Sequence, residues 1–233
     1  MISFFIPIRK GSKRVKNKNI KPLPGFKYGV TELKLKQLNK LKNLLEKTKT
    51  QKLKRFEFII STDCLKTKKF VSRFDWIKVH NRPKKLATDD SLDLLIKEVP
   101  KICNGEYILW THVTSPFFDE IDYINFLNTF FKTRLAKNKS AFSADILNKF
   151  IFKRGIGWIS HNVKKKKWPR TQDLKDIYTA NSAACIAHKD IYKKFNDRIC
   201  NNTIPIKSRE NSGFDLDNKK DFIELRKFLK EKS

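Results

Sequence analysis

A chain of 233 residues is long enough for one domain with a continuous core, and 39% hydrophobic residues, 19 of them Phe, exclude a disordered chain despite 33% charged residues. No run of about 18 apolar residues occurs, and MISFFIPIRK carries its charge after the apolar run with no small-residue cleavage site behind it. A soluble, cytoplasmic protein with no membrane contact is expected. The formal net charge of +28 leaves two readings open, a solvated lysine surface or polyanion binding, because Lys is spread along the whole chain and Lys164–Lys167 is its one block of four.

Cys64, Cys103, Cys185 and Cys200 form no CxxC pair, and His80, His112, His161 and His188 show no metal-ligand spacing. Reduced, buried thiols are expected, with neither a zinc site nor a disulfide framework.

Residues 2–8 read as a strand apolar on both faces, the mark of a buried parallel sheet. It opens into a loop with one glycine, Gly11, and six cations: Arg9, Lys10, Lys13, Arg14, Lys16 and Lys18. After Pro22–Gly25, Thr31 is placed to cap a helix over about 32–47 with a Leu stripe. A strand at 56–61, a helix at 65–74 and a strand at 76–80 follow. Asp89 or Asp90 then caps a helix limited near Pro100. A strand at 107–110 and a helix at 119–133, capped by Asp119, complete four strand–helix alternations. That rhythm predicts a doubly wound, mostly parallel α/β sheet with helices on both faces. Ligands gather outside the carboxyl ends of such strands, and Arg9–Lys18, Ser61–Asp63, Asn81–Asp90 and His112–Pro116 all fall there.

The stretch 140–188 breaks the rhythm with short strand-like pieces at 140–146, 150–153 and 158–160, then a small-residue strand at 178–187. It reads as an excursion from the sheet within a single domain spanning 1–233. Trp168, beside Lys164–Lys167, has the composition of a stacking site for nucleic acid. A helical turn near 189–195, a strand near 203–207 and a helix over 218–231 end the chain.

Two segments carry chemistry. The loop at 9–18 lacks GxxxxGK[ST] and GxGxxG. It is either a solvated basic turn or a phosphate cradle in which peptide N–H groups around Gly11 and Ser12 face a triphosphate. Asp215-x-Asp217 places two carboxylates on one face of an extended segment, where both could hold a hard cation; Asp217 could equally cap the last helix, and Asp221 is structural. Nucleotidyl transfer needs both a cradle and a metal-binding carboxylate pair.

IPIRKGSKRVKNKNIKPL resembles the N-terminal signature of the acylneuraminate (CMP-sialic acid synthetase-like) cytidylyltransferase family. IISTD at 59–63, NRPKKLATDD at 81–90, THVTSPF at 111–117 and FDLDNKKDF at 214–222 are similar to further family blocks in the same order. The resemblance implies a nucleotide-diphospho-sugar transferase-like fold and CMP transfer from CTP to the anomeric hydroxyl of a sugar acid. It implies that Arg9, Gly11, Ser12, Lys13 and Lys18 grip CTP phosphates, with Lys13 also catalytic, and that Asn19 and Arg82 read cytosine. Asp215 and Asp217 would hold Mg²⁺ and serve catalysis. His112, Thr114, Arg170, Asn181 and Asp215 would face the sugar acid. A homodimer through the 140–188 excursion is implied as well, with nucleic acid not the expected partner. The sugar-side blocks depart from the family pattern. His112 stands where a glutamine is usual, Phe118 replaces an arginine, and Leu92-Asp93 replaces a hydroxyl pair. Thr179, Ala180 and Ser182 flank Asn181 where the family has Arg, Pro and Gly.

Overall fold

The computed structural model describes residues 1–88 and 92–231. In chain order the elements are β1 (Ile2–Ile8), α1 (Gly29–Lys47), β2 (Phe56–Thr62), α2 (Leu65–Val71), β3 (Ile77–Asn81), α3 (Leu92–Ile102), β4 (Tyr107–Thr111) and α4 (Glu120–Lys132). There follow β5 (Ser140–Leu147), β6 (Phe152–Lys153), β7 (Gly157–Trp158), β8 (Ile177–His188), α5 (Lys189–Phe195), β9 (Ile204–Lys207) and α6 (Lys219–Glu231). Seven strands form one sheet in the order β3-β2-β1-β4-β8-β5-β9. β1 is parallel to β2 and β4, β3 to β2, and β9 to β5; only β8 is reversed, antiparallel to β4 and β5.

The two-residue period of β1 shows why helices cover both faces. Phe4, Ile6 and Ile8 point into a core shared with Leu38 of α1, Phe70 of α2, Phe126 of α4 and Leu225 of α6. Phe5 points the other way, against Leu95 and Val99 of α3 and Tyr192 of α5. The mostly parallel, doubly wound α/β sheet expected from the strand–helix rhythm is present. The four cysteines are free and buried. Burial pushes the Cys103 thiol up to about 12 and that of Cys185 up to about 11. Among the described residues no helix is long and apolar enough to cross a membrane.

Several boundaries differ from expectation for identifiable reasons. Thr31 does not cap α1. It lies in the first turn, where its Oγ1 donates to the Asn19 carbonyl at 2.6 Å, and the Tyr28 N–H donates to Glu32 Oε2 at 2.9 Å. Gly29 starts the helix at φ +55°, where a Cβ would lie 2.1 Å from the Lys21 carbonyl oxygen, so only glycine permits this approach. Pro100 does not end α3, because the next bond survives: the Cys103 N–H reaches the Val99 carbonyl at 3.0 Å. The cap expected at Asp89 or Asp90 lies outside the described residues. Asp119 caps α4 as expected, in a reciprocal capping box with Asp122.

The larger correction concerns 140–188. Its two ends are sheet strands: Ser140 pairs with Ala187 and Leu147 with Ile177. Ala183, Ala184 and Ala187 are buried, so the small residues of β8 mark close packing in mid-sheet. Only 148–176 leaves the sheet, as a flap around the β6–β7 pair in which Phe150, Trp158 and Trp168 meet edge-on at 5.3–5.8 Å.

Candidate active site

Because β1, β2, β3 and β4 are parallel, their carboxyl ends deliver four loops to one edge, and a cleft of about 570 Å³ opens there. It is lined by Arg9, Ser12, Lys13, Lys18 and Asn19 from the loop after β1, Arg82 after β3, His112 and Thr114 after β4, and Asp215 and Asp217 before α6. The cationic loop is tied at both ends. The Lys10 N–H donates to Asp63 Oδ1 at 2.7 Å, and Asn19 Nδ2 donates to the Arg9 carbonyl at 3.2 Å. Gly11 turns the loop at φ +89° without itself lining the cleft.

The Asp215–Asp217 segment is clamped to that loop across some two hundred residues of sequence. The Leu216 N–H donates to the Thr114 carbonyl at 2.7 Å. Lys18 Nζ donates to the Leu216 carbonyl and pairs with Asp217 Oδ1 at 3.4 Å, and Arg14 Nη1 pairs with Asp217 Oδ2 at 3.0 Å. Asp217 does not cap α6. Asn218 does: its Oδ1 accepts from the Lys220 and Asp221 N–H groups, while Asp221 Oδ2 accepts from those of Asp217 and Asn218. The Asp217 carboxylate therefore faces the cleft instead of the helix end.

Asp215 is half-buried. Burial raises its pKa, a hydrogen bond from Thr114 opposes the rise, and the neighbouring Asp217 charge adds to it. Its Oδ1 is buried with no hydrogen-bond partner. An orphaned carboxylate oxygen beside a second carboxylate suits a hard cation. Among the described residues no group of three or more His, Cys, Asp or Glu is placed to hold a metal ion. The protein would thus supply two oxygens, and phosphate and water the rest, as Mg²⁺ prefers.

Arg82 is 6% exposed and held against Ser61, with Nε on the hydroxyl at 3.1 Å and Nη2 on the carbonyl at 2.6 Å. Burial first, then the charge of Arg9, lowers its pKa to about 10 against the opposing pull of Asp63, so it stays cationic at neutral pH. His112 accepts at Nε2 from Trp110 Nε1 at 3.0 Å, which fixes Nδ1–H as its donor. Burial and the cations Arg198, Arg82 and Lys18 push its pKa down to about 3, so the ring is neutral. Beneath this edge Lys34, fully buried, donates to the Ser115 and Phe118 carbonyls at 2.8 and 2.7 Å and fixes the turn after β4.

Two expected sugar-facing residues are not brought to the cleft. Arg170 lies on the flap, its guanidinium bonded to Asp173 at 2.9 and 3.0 Å. Asn181 is spent inside the sheet: Nδ2 donates to Asp145 Oδ1 and Ser208 Oγ, and Oδ1 accepts from Ser143 Oγ. Its neighbour Ser182, at φ +60°, lines the cleft in its place. Arg14, Trp110, Thr88 and Ser182 are lining residues that sequence reasoning missed. Arg14 had a signal, being a cation inside the cradle loop, and Ser182 had one as the neighbour of Asn181 where the family has Gly; Trp110 read as an ordinary strand residue.

The chain is similar in structure to a 4-diphosphocytidyl-2C-methyl-D-erythritol synthase from Anaerococcus prevotii. The TM-score is 0.65 at 16% identity, covering 98% of this chain and 96% of that one. A CMP:2-keto-3-deoxy-manno-octonic acid synthetase complexed with CTP has a TM-score of 0.65 at 11% identity, with 100% and 99% covered. A nucleotidyl transferase from Methanothermobacter thermautotrophicus has a TM-score of 0.61 at 12% identity, again with 100% and 99% covered. At these identities the likeness establishes the fold. No curated protein sequence matches the chain. The sequence profile described as Cytidylyltransferase, however, matches residues 3–231. A match over nearly the whole length, on a fold shared with nucleotidyltransferases, establishes that the chain belongs to the cytidylyltransferase family, CTP-utilising nucleotidyltransferases.

Proposed function

We propose that the cleft transfers CMP from CTP to the anomeric hydroxyl of a sialic-acid-like or related 3-deoxy sugar acid, releasing pyrophosphate, with Mg²⁺ as cofactor. One observation carries this reading: Arg14 and Lys18 of the cationic loop close onto Asp217, so cradle and carboxylate pair form one cleft. In this reading Arg9, Ser12, Lys13 and Lys18 hold the triphosphate. Lys13 offsets the charge that builds on the departing pyrophosphate. Asn19 Oδ1 suits the exocyclic amine of cytosine, its Nδ2 being engaged by the Arg9 carbonyl. Arg82, anchored through Nε and Nη2, has Nη1 left to meet a base acceptor. The hydroxyl oxygen forms a bond to the α-phosphorus as the α–β bridging P–O bond breaks, and the hydroxyl proton passes to the Asp215–Asp217 pair. A bound Mg²⁺ would neutralise phosphate charge at these two carboxylates.

Phe118 is 2% exposed and packs edge-on against Tyr123 at 4.8 Å, so it offers the substrate nothing where related sugar-acid enzymes carry an arginine. The acceptor side is thus set by His112, Thr114 and Ser182, and favours no one sugar acid. The test is pyrophosphate release from CTP and Mg²⁺ with sialic, legionaminic, pseudaminic and octulosonic acids. At least one should turn over, and Asp217→Ala should lower the rate by about 100-fold or more. Silence with the whole panel, CTP binding intact, would refute the sugar-acid assignment.

A further inference from the structure

Arg198 follows α5, and its guanidinium lies over the Trp110 ring, 4.8 Å from the centroid. Trp110 lines the cleft and donates to His112, which lines it too, so Arg198 adjoins the cleft through Trp110 and is not itself one of its lining residues. Arg198 is half-buried and its backbone is engaged: the N–H donates to Asp197 Oδ1 at 2.6 Å, and the carbonyl accepts from Cys185 Sγ at 3.7 Å. Among the described residues no carboxylate pairs with its guanidinium and no carbonyl accepts from it. A cation–π contact with an indole face uses none of the guanidinium's five N–H donors, which match a carboxylate or phosphate edge. The His112 Nδ1–H also lacks an acceptor among the described residues. The charge of Arg198 is the largest charged influence on His112, as expected of neighbours. By contrast, Arg14 is paired with Asp217.

We propose that Arg198, lying over the ring of the cleft residue Trp110, acts with the His112 Nδ1–H to receive the anionic group of the acceptor and makes the cleft select charged acceptors over neutral ones. The inference rests on the reading of the cleft as a cytidylyltransfer site and adds a residue to its acceptor side. A carboxylate of a sugar acid and a phosphate of a sugar phosphate share the required chemistry, and the experiment separates them.

Wild type, Arg198→Gln and Arg198→Lys are assayed for pyrophosphate release from CTP with N-acetylneuraminate, 3-deoxy-octulosonate, N-acetylneuraminate methyl ester and a hexose 1-phosphate. Binding of each acceptor is followed in parallel by tryptophan fluorescence, and the thermal shift with CTP verifies folding of each variant. Arg198→Gln should raise the KM or Kd of the charged acceptor by about 30-fold or more. The KM for CTP should stay within about twofold, the ester should be little affected, and Arg198→Lys should be intermediate. An unchanged KM in Arg198→Gln, or equal losses for acid and ester, overturns the inference while the sugar-acid reading stands. Turnover of the hexose phosphate alone, still sensitive to Arg198→Gln, overturns the sugar-acid reading and keeps the role of Arg198. Wild-type protein that neither binds nor converts any charged acceptor overturns both.

Discussion

Asp215 is held where a lone carboxylate is least welcome: half-buried, close to Asp217, with Oδ1 out of reach of any donor. Such an arrangement costs stability until something positive is supplied. Asp215→Asn should therefore stabilise the metal-free protein by about 1 kcal/mol, or about 2–4 °C in Tm for a chain of this size, while abolishing pyrophosphate release. The sign of the pH dependence follows from the raised pKa. The carboxyl is neutral in the folded state at acid pH, and stability is lost as pH rises through its folded pKa, so the gain in the Asn variant should grow with pH and vanish near pH 3–4. Thermal melts across pH without divalent cation check this; a variant less stable than wild type at pH 8 would show that the carboxylate is locally compensated. At this scale the candidate site was legible where a residue type suggests its chemistry, as with Lys13, Lys18, Asp215 and Asp217, all of which line the cleft. It was not legible where the role depends on a partner brought in by folding. Nothing in the order of residues says that Arg14 closes on Asp217, that Arg198 lies over Trp110, or that Asn181 exhausts its amide on Asp145 and Ser208.

The start of α6 is the element on which the carboxylates depend. Asn218 caps the helix and Asp221 reaches back to two N–H groups, one of them that of Asp217. This reciprocal lock sets the direction in which the Asp217 side chain leaves the chain. Asn218→Ala should cost about 1 kcal/mol of stability. It should also lower kcat more than it raises the KM for CTP, because the Arg9–Lys18 cradle has further anchors in Asp63 and Asn19. Asn218→Ser should restore most of both, since a hydroxyl can accept the same N–H bond; steady-state kinetics beside urea unfolding decide it. A loss confined to stability would show that the cap supports α6 alone. Strands and long helices were readable from periodicity, as in β1 and α4. The errors fell at ends fixed by long-range contacts: α1 is set by the approach of Gly29 to Lys21, and α3 runs through Pro100 because Val99 and Pro100 are buried in the core.

At the scale of the molecule, the candidate cleft and the flap share no lining residue. β5 and β8 would make a simple hairpin, since Leu147 faces Ile177, and 148–176 is inserted at its tip. The flap has its own aromatic cluster of Phe150, Trp158, His161 and Trp168, yet leaves Phe152, Ile156 and Trp168 exposed at 60%, 66% and 65%. None of the cleft-lining residues belongs to it. An apolar surface of this kind on a protruding segment is what a subunit contact requires, and the homodimer proposed from family resemblance would use it. The nine Lys and Arg of the flap, against Asp173 and Asp176, make it strongly cationic as well, so a self-contact must keep Lys164–Lys167 in solvent. Replacing 148–176 by Asn-Gly, which favours the two-residue turn that joins antiparallel strands, should leave a folded protein whose melting temperature still rises with CTP. If the flap joins two copies, size-exclusion chromatography with light scattering should show a dimer for the full chain and a monomer for the shortened one. Identical masses for both chains would remove the flap from the interface. Loss of the CTP shift in a folded, shortened chain would instead show that the flap supports the nucleotide cleft, against the separation drawn from its lining.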